Sequence, residues 1–152
     1  MKTFTKLTLL LVASVVLFSF ALLPGGDHYE VYLDDKLVLE QSVHGQKSIP
    51  SVNVDQRAEQ SILSIQYSHC GKIGTARMIR IKDGQNKVLK EWQFADAATG
   101  TKSPMTFKVK DLASLKQKNG TTLNLVYSSK EIPEGRSLAS VVLTNELNTA
   151  LN

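Results

Sequence analysis

A single cysteine, a single tryptophan and three histidines stand in 152 residues, and each scarcity removes a class of protein. One thiol cannot close an intramolecular disulfide, so the domain must be held by its core rather than by covalent staples. The cysteine pair and intervening tryptophan of an antibody-type domain are excluded on the same count. There is no Cys-x-x-Cys for dithiol exchange, and no cysteine stands directly after the N-terminal apolar run to carry a lipid. No low-complexity tract, fixed-period repeat or second domain boundary divides the chain, which leaves room for one domain and not for a multi-domain enzyme.

The one long apolar run lies at the start. After Lys2 and Lys6, the segment Leu7 to Leu23 carries no charge and stops at Pro24-Gly25-Gly26. This is the pattern of a secretory signal, residues 1–26, with Ser19-Phe20-Ala21 offering small residues for cleavage. Its 17 residues fall just short of the roughly 20 that span a bilayer, so an uncleaved anchor is the alternative, and the only route to a membrane. The expected location is the periplasm or the exterior.

Export changes the charge reading. Without Lys2 and Lys6 the chain holds 16 basic and 14 acidic side chains, unevenly placed. Residues 27–60 have three basic and seven acidic, whereas 61–118 have eleven and four. Most of the basic block alternates with apolar residues, as on the solvated face of a half-buried sheet. No concentrated basic patch with stacking aromatics or recognisable module is present, so nucleic acid is not the expected partner.

Strict alternation recurs along residues 27–145. Tyr29, Val31 and Leu33 share a face; Asp34-Asp35-Lys36 is a polar turn; Leu37 to Glu40 completes a hairpin. Ile49 to Val54 is extended, and its Pro50 suits a sheet edge. Leu63, Ile65, Tyr67 and His69 mark the cleanest strand. Asp83-Gly84-Gln85-Asn86 joins Ala76–Lys82 to Val88–Phe94 in a second hairpin, with Trp92 expected in the core beside Val88 and Phe94. Met105 to Lys110 alternates again, Asp111 starts a single helical turn, and Asn119-Gly120 stops it. Leu123, Leu125 and Tyr127 form the next strand, Ile132 to Gly135 a loop, and Ala139, Val141 and Leu143 the last strand. The tail 146–152 shows no pattern. About seven to nine short strands at this spacing predict an all-β fold, a single antiparallel β-sandwich with immunoglobulin-like or jelly-roll-like connections.

Catalytic sets are hard to assemble. Gly71-Lys72-Ile73-Gly74-Thr75 has the residue types of a phosphate loop, but the order is wrong and a strand follows instead of a helix. Asp34-Asp35 lies in a turn, and Glu30 and Glu40 lie on opposite arms of the same hairpin, where solvated charge or a weak calcium contact is as much to be expected as catalysis. Asn119-Gly120-Thr121 matches a glycosylation acceptor and equally a helix stop before a strand. His69 and Cys70 are two good ligands for copper or zinc, but neighbours on a strand point to opposite faces and must bend at Gly71 to share a site. The leading expectation is therefore a non-enzymatic exported module that binds a protein, a cell-surface glycan or another copy of itself. Tyr32, out of phase with Val31 and Leu33, and the exposed Lys108 and Lys110 are its candidate contacts. The alternative is a periplasmic metal- or thiol-dependent protein built on His69 and Cys70, with copper or zinc as cofactor.

Overall fold

The computed structural model describes residues 26–99, 102–119 and 122–145. The expected signal segment and the tail 146–152 therefore lie outside the described residues, apart from Gly26. Nine strands and one helix are present among them: β1 (His28–Leu33), β2 (Lys36–Ser42), β3 (Ser51–Asp55), β4 (Ile62–Ser68), β5 (Arg77–Lys82), β6 (Val88–Phe94), β7 (Met105–Lys108), α1 (Val109–Asn119), β8 (Thr122–Ser129) and β9 (Ile132–Thr144). They form a nearly all-β molecule of two sheets, one ordered β2-β1-β4-β7 and the other β3-β9-β8-β5-β6.

Alternation builds the core between the sheets. Tyr29, Val31, Leu63, Ile65, Met105 and Phe107 face inward from the first sheet; Ile79, Ile81, Leu123, Leu125, Val141 and Leu143 meet them from the second, in one buried cluster. Leu112 of α1 joins that cluster. Polar tips and aromatic faces then tie the sheets together. The Tyr29 hydroxyl donates to the Leu138 carbonyl at 2.6 Å, Trp92 stacks on Phe107 with centroids 4.4 Å apart, and Tyr67 stacks on Tyr127 at 4.2 Å.

Turn chemistry sets the hairpins. Asp34 and Asp35 take φ of 49° and 63°, a left-handed pair suited to a two-residue hairpin turn. The Asp34 carboxylate accepts from the Ile62 amide at 2.8 Å, which fastens that turn to β4. Between β5 and β6 the Asp83 carboxylate accepts from the amides of Gln85 and Lys87, and Asn86 supplies a positive φ of 63°. Pro50 precedes β3, which is an edge strand as the sequence predicts.

Four expectations are corrected. β3 runs parallel to β9, not antiparallel; it arrives from β2 and leaves to β4, both in the other sheet, so no hairpin sets its direction. Ile132 to Gly135 is not a loop but the start of β9, where two register shifts and a left-handed Gly135 (φ 82°) accommodate the irregular residues. The helix runs for 11 residues rather than one turn. In β6, pairing jumps from Lys90 opposite Ile81 to Val88 opposite Lys82, so the bulge at Leu89 leaves Val88 47% exposed. Trp92 is half-buried beside the core rather than within it.

Leu125 is fully buried on a central strand. Leu125→Ala is expected to cost about 2–5 kcal/mol of stability through lost burial and an unfilled cavity, read as a lower urea midpoint at unchanged slope.

Candidate functional site

One end of the molecule gathers the connections β4–β5, β6–β7 and β8–β9 together with the residue preceding β1. Register does the gathering. His28 pairs with Ser68, which places Asp27 beside His69; Met78 pairs with Ser128, which places Arg77 beside Ser129. The loops are then laced by polar groups. Arg77, 4% exposed, donates from Nε to the Ala95 carbonyl and from Nη1 to the Ser103 carbonyl, both at 2.7 Å. The Glu131 carboxylate accepts from the Thr75 amide at 3.0 Å and its hydroxyl at 2.7 Å. The Asp96 carboxylate accepts from the Ala76 amide at 2.8 Å.

Inside this end lies a chain of partly buried polar side chains. Asp27 accepts from the Tyr67 hydroxyl at 2.8 Å and from the Cys70 amide at 3.0 Å. Nδ1 of His69 lies 3.7 Å from the same carboxylate, and Nε2 lies 2.9 Å from the Tyr127 hydroxyl. With the proton on Nδ1, Nε2 accepts from Tyr127. Burial drives the His69 pKa below the ordinary imidazole value, outweighing the upward pull of Asp27 and Glu131. Burial pushes Asp27 the other way, but the Cys70 amide and the Tyr67 hydroxyl hold it below the usual carboxylate range. Burial and the Asp27 hydrogen bond raise Tyr67. At Glu131, burial again opposes ionisation, and the two Thr75 donors and Ser129 bring it down to about 2.

Asp27, His69 and Ser129 stand in the order of a catalytic triad, yet Ser129 Oγ is 3.5 Å from Nε2 and only 4% exposed. Tyr127 holds Nε2 at the shorter distance, so the serine is neither activated nor reachable. The arrangement positions loops and presents polar surface, and Ser129 is not presented as a nucleophile.

Two adjoining pockets open here. The larger, of about 350 Å³, is lined by His69, Gly71, Lys72, Gly74 and Thr99 among others; the smaller, of about 290 Å³, by Glu30, Gln66, Lys102 and Ser103. Tyr67, Ser68 and Ala97 line both. At the rim, Tyr32 donates to Glu30 at 2.7 Å, and Lys102 Nζ lies 5.7 Å over the Tyr32 ring and 3.6 Å from Glu30.

The sequence-derived candidates separate. Tyr32 joins the rim of the smaller pocket. Lys108 ends β7 on the same sheet, donating to Gln60 at 3.3 Å, while Lys110 already belongs to α1, so the two lysines do not share a strand face. His69 and Cys70 also diverge: the imidazole side chain is 4% exposed, with Nε2 bonded to Tyr127 and Nδ1 facing Asp27 at 3.7 Å, whereas Cys70 is exposed. Asp27, Lys102 and Glu131 carried no local signal, because only strand register and loop closure bring them in. No protein-family model matches the chain, and no curated protein matches it.

A Cβ on Gly74 would stand 2.9 Å from the Tyr127 hydroxyl and 3.0 Å from the His69 ring. Gly74→Ala is expected to cost about 1–3 kcal/mol, measured by chemical denaturation, because both groups are already held by hydrogen bonds. Since the folded His69 resists a proton that the unfolded chain accepts, its contribution is present above about pH 6.5 and is lost as pH falls below it. Urea denaturation between about pH 7 and 5 should show stability falling, with a shallower fall in His69→Gln.

Proposed function

We propose that this chain is an exported, non-enzymatic binding module, periplasmic or secreted, which holds a protein or a cell-surface glycan at the loop end of an immunoglobulin-like sandwich. The strand order supports the immunoglobulin-like reading over a jelly roll. β4 and β7 are neighbours in one sheet and β5 and β8 in the other, while the connections β4–β5 and β7–β8 cross between sheets. β3 meets the last strand after the chain has left the first sheet, so the opening strands contribute to both layers.

The observation that carries the functional reading is the pair of adjoining pockets lined by Gln66, Ser68, Lys72 and Lys102, with Tyr32 at the edge. Convergent amide, hydroxyl and ammonium groups beside an aromatic face suit the hydroxyls and apolar ring faces of a sugar, or the backbone of a protein loop. Loops fixed to a rigid sandwich place such groups with little ordering cost on binding. The metal- or thiol-dependent reading of His69 and Cys70 is not favoured, because both imidazole nitrogens already face partners within the fold.

Surface plasmon resonance against a panel of envelope glycans and envelope proteins tests the proposal. A partner is expected to lose at least about tenfold in affinity with Lys102→Ala or Gln66→Ala. An affinity unchanged by both but abolished by Asn53→Pro on the edge strand β3 would move the contact to the sheet edge and overturn the loop-end assignment. Self-association through that edge would be seen as a concentration-dependent dimer.

A further inference from the structure

A second cluster lies on the outer face of the first sheet, apart from the partly buried His69 chain. His28 and Glu30 are two residues apart on β1 and so point the same way, and Glu40 of β2 is paired directly opposite Glu30. Two like charges directly opposite each other disfavour the pairing. The imidazole faces both carboxylates: His28 Nε2 is 3.6 Å from Glu30 Oε1 and 3.7 Å from Glu40 Oε1. One nitrogen and two carboxylate oxygens lie within 4.8 Å of one another, and among the described residues this is the one group of three His, Cys, Asp or Glu side chains so arranged.

The spacing suits a particular ion class. Ligand atoms at about 2.0–2.2 Å from a tetrahedral zinc lie roughly 3.3–3.6 Å apart, so the two nitrogen-to-oxygen separations need to contract by only tenths of an ångström. An imidazole ligand and only two carboxylates argue against calcium, which takes six to eight oxygens. The orientation of Glu30 supplies the independent support. Its Oε2 accepts from the Tyr32 hydroxyl at 2.7 Å and faces Lys102 Nζ at 3.6 Å, which fixes the carboxylate with Oε1 turned to the imidazole. Ligating carboxylates in metal sites are held by outer hydrogen bonds of this kind. All three ligands sit on paired strands, not loops, which keeps the cluster rigid.

We propose that His28, Glu30 and Glu40 form a surface site for a borderline divalent transition ion of the zinc class, with the remaining coordination positions open to water or to a donor atom from a partner. The site is independent of the loop-end proposal, although Glu30 also borders the smaller pocket.

Isothermal titration of Zn²⁺ into the purified protein, carrying no polyhistidine tag, is the test. One saturable equivalent is expected, with affinity at least about tenfold weaker in His28→Gln and in Glu40→Gln, and unchanged in Cys70→Ser and His69→Gln. Circular dichroism checks that each variant is folded. No saturable binding overturns the proposal, as does binding that survives both His28→Gln and Glu40→Gln or that disappears in Cys70→Ser.

Discussion

The stack of Tyr67 on Tyr127 is the contact from which the loop end is organised. Each ring fills core space between the sheets, yet each carries a hydroxyl that burial forbids to go unpaired. Tyr67 satisfies its hydroxyl on Asp27 and Tyr127 on His69. Those two partners face each other, and Asp27 reaches on to the amide of Cys70, where the chain leaves the sheet. An apolar packing requirement is thereby converted into a polar chain that fixes where the β4–β5 connection begins. Gly74 belongs to the same arrangement, since no side chain fits between it and the two ring groups.

Arg77 does the equivalent work for the β6–β7 connection. Its guanidinium is buried in phase with Ile79 and Ile81, and it spends its donors on two carbonyls that the chain places 8 residues apart, at Ala95 and Ser103. Buried charge is costly unless fully hydrogen-bonded, so the loop carbonyls are held wherever the guanidinium sits. Glu131 plays the complementary part with Thr75. Both pockets are thus walled by segments whose positions are set from inside the core, and the surface they present is prearranged.

Much of this was legible from residue order. Leu63, Ile65, Tyr67 and His69 line one side because strand periodicity is a local property, and Asp83 to Asn86 make a turn because their side chains bond their own backbone. What could not be read depended on pairing between distant strands. Asp27 meets Tyr67 across 40 residues, and nothing near Asp27 announces it. Bulges defeat alternation in the same way: one extra residue at Leu89 turns Val88 outward, and the shifts in β9 let Pro133 and Gly135, ordinary loop signals, sit within a ladder. Lys108 and Lys110 look alike in the alternating pattern, but the backbone changes from strand to helix between them. The cross-strand placement of Glu30 and Glu40 was readable from the hairpin, whereas the part played by Tyr32 required the side-chain geometry.

The parallel run of β3 beside β9 has a mechanical meaning. Two strands pointing the same way, drawn toward the start of one and the finish of the other, must slide lengthwise, and every rung from Ser51 opposite Ser140 to Asp55 opposite Thr144 takes the strain at once. A hairpin tugged at its open mouth gives way rung by rung instead. Where tension reaches these two strands from either flank, that seam acts as a shear-resistant clasp rather than a zipper.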